Sequence, residues 1–181
     1  MSHMKKPTFI RNCKGSFTVF SVILGIFFLY CSSVAGDQAP EVNLQISKIS
    51  TGLVQSWSLG KVDTLLQQRA TTHSPFFPGT KTFSGPLLAD LLAAAFSAEP
   101  KESTPIKLIA LNNYSIETTF GKLKHADAIV ATRKNDLPMS IRDRGPFWII
   151  FPLTKRPDLE NEDFYRLMIW QLSDIIIGES Q

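Results

Sequence analysis

Both cysteines of this 181-residue chain, Cys13 and Cys31, lie in or beside an N-terminal apolar stretch, so everything after position 31 has to hold together without cysteine. The later residues can close no disulfide, offer no thiolate to a metal and supply no cysteine nucleophile. Such a fold has to rest on a packed apolar core, and its length allows one. Setting aside the first 35 of 181 residues leaves 146. A domain of that size buries roughly 68% of its unfolded surface, and an exported domain can then do without disulfides.

Residues 1–35 read as an export signal. Lys5, Lys6, Arg11 and Lys14 form a basic leader without an acidic residue, and Phe17 to Tyr30 is an almost unbroken apolar run. Ser33-Val34-Ala35 places small residues where a signal peptidase reads, so cleavage is expected after Ala35. The rival is an uncleaved anchor, but the run is 14 residues long, short of the ~20 a spanning helix needs. A domain of residues 36–181, periplasmic or secreted, is the expectation, touching the membrane only through the leader if it is retained. Of the 19 Lys and Arg, four belong to the leader, leaving 15 against all 16 Asp and Glu. The near-neutral remainder argues against nucleic acid as a partner.

Periodicity gives the elements. Val42, Leu44 and Ile46 alternate with polar residues as in a strand. Val62 to Gln68 suggests a short helix with Leu65 and Leu66 inward. Gly85-Pro86 is placed to open a stronger, mostly apolar helix through Leu87, Leu88, Leu91, Leu92 and Ala95, buried against a sheet. Ser97 to Pro105 is a polar loop. Ile106 to Leu111 and Tyr114 to Thr118 read as a hairpin with Asn112-Asn113 in a tight primed turn. Phe120 to Lys124 is a brief helix and Ala128 to Thr132 a strand, followed by a Lys134-Asn135-Asp136 turn. Phe147 to Phe151 is a continuously apolar strand covered on both faces. Asn161 to Leu167 is helical, and Met168 to Ile177 forms a last strand. Hairpins interspersed with short helices predict a compact mixed α+β domain with a mostly antiparallel sheet.

Signatures of known chemistry are scarce. There is no G-x-S-x-G, P-loop, G-x-G-x-x-G or H-E-x-x-H. His73 and His125, the histidines beyond the leader, have no second ligand at metal spacing and no nucleophile context, so no metal site and no catalytic residue is assigned. One constellation stands out: Arg133, Lys134, Arg142 and Arg144, with Trp148 beyond the Gly145-Pro146 bend. In an extended segment Arg142 and Arg144 point the same way, two guanidinium forks suited to a phosphate or carboxylate. The alternative is a solvated loop whose arginines pair with Asp136 and Asp143. If they serve an anion, replacing Arg142 and Arg144 should abolish binding and cost little stability.

Five segments in order resemble the oxidoreductase molybdopterin-binding domain, the sulfite oxidase fold. They run from Phe83 to Leu92, Ala110 to Ile116, Ile129 to Met139, Arg144 to Pro152 and Ile169 to Leu172. The resemblance covers nearly all of residues 36–181 and implies a compact mixed α+β domain. It also implies molybdopterin as cofactor, with molybdenum held by a cysteine from the segment that here reads Arg69-Ala70-Thr71-Thr72-His73-Ser74-Pro75-Phe76-Phe77, which has no sulfur. A late Pro-x-Arg-x-x-x-Pro pattern has Trp148 in the arginine's place. A hydroxyl or imidazole does not replace a thiolate as a soft donor.

The resulting expectation is a non-catalytic binding module that needs no cofactor, its cleft lined by His73, Tyr114, Arg133, Arg142, Arg144 and Trp148. It would take a small anionic ligand or a periplasmic partner protein. The alternative is a molybdopterin-dependent oxidoreductase with atypical metal ligation.

Overall fold

Alternating burial along short strands builds the core. In the computed structural model, which describes residues 42–178, Leu44 and Ile46 of β1 (Leu44–Lys48) are fully buried. The leader and both cysteines lie outside the described residues. β1 runs antiparallel to β2 (Leu53–Trp57) and parallel to β11 (Leu172–Ile177). β11 pairs antiparallel with β5 (Pro105–Ala110), and β5 with β6 (Ser115–Thr119), giving a five-stranded sheet in the order β2-β1-β11-β5-β6. A four-stranded antiparallel sheet joins β3 (Gln68–Ser74), β4 (Phe77–Gly85), β8 (Arg133–Lys134) and β9 (Leu137–Pro138). β7 (Ile129–Ala131) and β10 (Trp148–Ile150) form a short antiparallel pair whose six residues are all buried. The class is mixed α+β with mostly antiparallel pairing, as expected from the sequence.

The helices are short and capped from the side. Ser58 Oγ, Thr119 Oγ1 and Asn161 Oδ1 each accept a hydrogen bond from a first-turn N–H of α1 (Leu59–Asp63), α3 (Phe120–His125) and α4 (Glu162–Leu167), respectively. α2 (Leu88–Phe96) is capped by tertiary structure instead: the Leu88 N–H donates to the Ala128 carbonyl at 2.8 Å. Its Leu88, Leu91 and Leu92 are fully buried.

Several expectations change. Residues 69–84, for which the sequence predicts no regular structure, belong to the β3–β4 hairpin, which spans residues 68–85. The helix expected at Val62 to Gln68 sits earlier, and Leu66 is 72% exposed rather than inward. Pro86 precedes α2 instead of opening it, because residues 84–88 first run alongside β7. The Thr132 N–H donates to Ser84 O and the Val130 N–H to Pro86 O, both at 2.9 Å. Gly85 makes that passage feasible, since a Cβ there would lie 2.0 Å from Val130 O. Asn113 alone of the Asn112-Asn113 pair has positive φ, and the connection is a wider loop closed by the Asn113 N–H on Ala110 O. At the other hairpin Asn135 (φ 51°) and Asp136 (φ 66°) do make the two-residue primed turn between β8 and β9. The last strand begins at Leu172, not Met168.

Candidate functional site

A cavity of about 460 Å³ opens where α4 faces the end of the five-stranded sheet. Three segments line it. The bend before β4 gives Pro75 and Phe76, the β5–β6 connection gives Asn112 and Tyr114, and α4 with the link after it gives Glu162, Tyr165, Arg166, Met168 and Trp170. Local folding explains each contribution. Asn161 caps α4 and sets its start, so Glu162 and Arg166 fall one turn apart on the same side. Phe164, partly buried between them, anchors the helix by an edge contact to Phe151 at 5.4 Å. The Asn112 side chain accepts from the Tyr114 N–H at 3.0 Å and holds the hairpin loop beside the cavity.

The cavity wall is largely aromatic. Phe76 meets Trp170 edge-on at 5.3 Å, and Trp170 meets Trp148 edge-on at 6.3 Å. Arg144 lies behind this wall, its guanidinium 5.4 Å from the Trp148 ring centre and 5.5 Å from that of Trp170. It also donates to the Phe76 carbonyl and has no carboxylate partner among the described residues. The volume falls within the usual range for small-ligand sites, about 300–1,000 Å³.

Of the six residues expected to share a cleft, only Tyr114 lines this cavity. Arg142 and Arg144 do not point the same way: Ile141–Asp143 is a 3-10 turn, and Arg144 takes a left-handed conformation after it (φ 69°). Arg142 is exposed, without a polar partner among the described residues. Trp148 is fully buried and donates its indole N–H to Met168 O at 3.0 Å, a core residue behind the site. Arg133 turns away to Asp63 at 2.6 Å, and Asp63 also accepts from the buried Thr132 at 2.9 Å. That hydrogen bond raises the Arg133 pKa above an ordinary arginine's. His73 lies between Thr154 Oγ1 (3.1 Å) and Glu160 (3.2 Å), a partly exposed chain tying β3 to the loop before α4. The anticipated pairings of the arginines also change partners, since Asp136 pairs with Arg69 and Asp143 with Lys134.

Sequence reasoning missed Phe76, Tyr165, Arg166, Met168 and Trp170. Met168 and Trp170 fall where the sequence predicts a strand, Tyr165 and Arg166 where it predicts a helix, and Phe76 in the segment compared for a metal ligand, so none is marked as lining a cleft. The one usable signal was the density of aromatic residues at 164–170.

A cysteine-ligated metal does not fit these residues. At the relevant segment Ser74 is 7% exposed. Its hydroxyl is already used, accepting from the Phe76 N–H (3.2 Å) and facing Met168 Sδ (3.8 Å). Among the described residues no three His, Cys, Asp or Glu side chains group as a metal site would require.

No family model matches the chain, and neither does any curated protein. Among solved structures it is similar to the sulfane dehydrogenase SoxCD from Paracoccus pantotrophus, with TM-score 0.55 and 12% identity over 76% of this chain. The likeness shows a shared fold. The match spans 38% of the SoxCD chain.

Proposed function

We propose that this chain is an exported binding module built on an oxidoreductase-type fold, and that the aromatic cavity is its ligand site. The ligand classes are a small anion or an extended segment of a periplasmic partner. One observation carries this reading: an aromatic cavity of ligand size is bordered by Pro75 and Phe76, at the end of the segment where cofactor-binding relatives would supply their metal ligand. That segment offers a buried hydroxyl with its hydrogen bonds made, so the fold has a site without the donor for the redox metal. Native mass spectrometry of the protein recovered from the periplasm tests the reading. A co-purified small molecule or peptide, lost in Trp170→Ala, is expected. Protein recovered bare that also binds nothing from periplasmic extract would overturn it.

The fold likeness to a sulfane dehydrogenase favours a second reading, a molybdopterin-dependent oxidoreductase with atypical ligation. Elemental analysis separates the two. Stoichiometric molybdenum in protein from a cofactor-competent host would replace the binding reading with this one.

A further inference from the structure

The ligand class follows from charges at the cavity wall, given the binding reading above. Aromatic cavities commonly attract cations, because ring faces are negative. Here the protein has supplied its own cation. Arg144 lies over both Trp148 and Trp170, at 5.4 and 5.5 Å. The one hydrogen bond of its guanidinium among the described residues goes to the Phe76 carbonyl, a neutral group. No carboxylate among the described residues pairs with it there. A second cation against Trp170 would meet the repulsion of a half-buried guanidinium across one ring.

Arg166 adds a second positive charge at the lining itself, again without an ion-pair partner among the described residues. Glu162 supplies the opposing charge, one helical turn earlier on α4. It forms no ion pair with Arg166, so both forks of the Arg166 guanidinium remain available. The lining itself carries one guanidinium and one carboxylate, and Arg144 behind the aromatic wall adds a further positive charge; the remaining lining is mainly Phe76, Tyr114, Tyr165, Met168 and Trp170.

We infer that the cavity takes an aromatic carboxylate, its ring against Phe76 and Trp170 and its carboxylate on Arg166. Arginine suits the role because its planar fork matches a carboxylate in two parallel hydrogen bonds. Arg144 acts indirectly, by setting the sign of charge that the wall admits.

Three matched probes test this: 3-phenylpropionate, 3-phenylpropanol and 3-phenylpropylamine, titrated into the full-length protein by calorimetry at low salt. The acid should bind about tenfold or more tighter than the alcohol, the factor one charge-assisted hydrogen bond supplies, and the amine weakest. Arg166→Gln should reduce the acid to the affinity of the alcohol and leave the alcohol unchanged. Arg142→Gln, remote in contact from the cavity, should change neither. If acid and amine bind equally, or the amine binds better, the assignment is wrong while the cavity remains a binding site. If the acid binds and Arg166→Gln leaves its preference intact, the assignment is also wrong. If none of the three binds, the ligand class is overturned, and native mass spectrometry decides the binding reading independently.

Discussion

Arg142 and Arg144 show how two residues of one type, two positions apart, take on different work. A 3-10 turn followed by a left-handed residue sends one side chain to solvent and the other against two indoles. Arg144→Ala should cost about 1–3 kcal/mol, combining a charged hydrogen bond with cation–π contacts. Arg142→Ala should stay within about 0.5 kcal/mol. Urea denaturation of the two variants checks the contrast, and equal losses would contradict it. The joint replacement therefore cannot leave stability untouched, as the sequence suggested it would. A similar test applies to Gly85, where a methyl group would sit 2.0 Å from a backbone oxygen that cannot yield without displacing β7. Gly85→Ala should lower stability by about 3 kcal/mol or more, beyond the usual range for a point substitution, read as a lower thermal midpoint.

The β8–β9 hairpin is the element whose local chemistry can be tested most directly. Asn135 and Asp136 both have positive φ, and Asn135 also ties the turn to β4, its amide N–H on Thr82 O and its side chain accepting from the Thr82 N–H. Asn135→Val puts a β-branched residue into a left-handed conformation and removes the side-chain bond. About 1–3 kcal/mol of destabilisation is expected, with hydrogen exchange rising first at the Asn135 and Thr82 amides. A uniform rise throughout the domain would instead show that the hairpin does not open as a local unit. The helices behave differently. α2 starts where Ala128 O can accept from it, so its boundary depends on β7 rather than on a residue inside the helix.

For the whole molecule, the position of the cysteines sets two expectations. Residues 36–181 carry no sulfhydryl, so their melting temperature should be the same with and without reductant, as differential scanning calorimetry can check. If the leader is cut as its small residues suggest, N-terminal sequencing of protein from the periplasm should begin at Gly36. A start at Met1 or Met4 would instead support the anchored alternative. The described domain makes its core from β7, β10, α2 and the inner faces of both larger sheets, with Phe147, Trp148 and Phe151 fully buried. The candidate cavity lies at the edge of this core, where α4 leaves a gap beside the hairpin loop.

Much of the fold was legible in residue order, because alternation, apolar runs, caps and turn residues act over a few neighbours. β1, β5, β6, α3, α4 and the Asn135-Asp136 turn follow from such local preferences. β3 and β4 did not, since Thr-rich, half-exposed strands have weak periodicity and gain their definition from pairing with each other and with β8. The site was decided almost wholly by tertiary contact. Trp148 and Arg133 carry chemistry that suits a cleft, but packing turned one into the core and paired the other with Asp63, 70 positions earlier. Phe76, Tyr114 and Trp170 meet only because separate segments close around one gap, and spacing along a chain holds no record of distances across a fold.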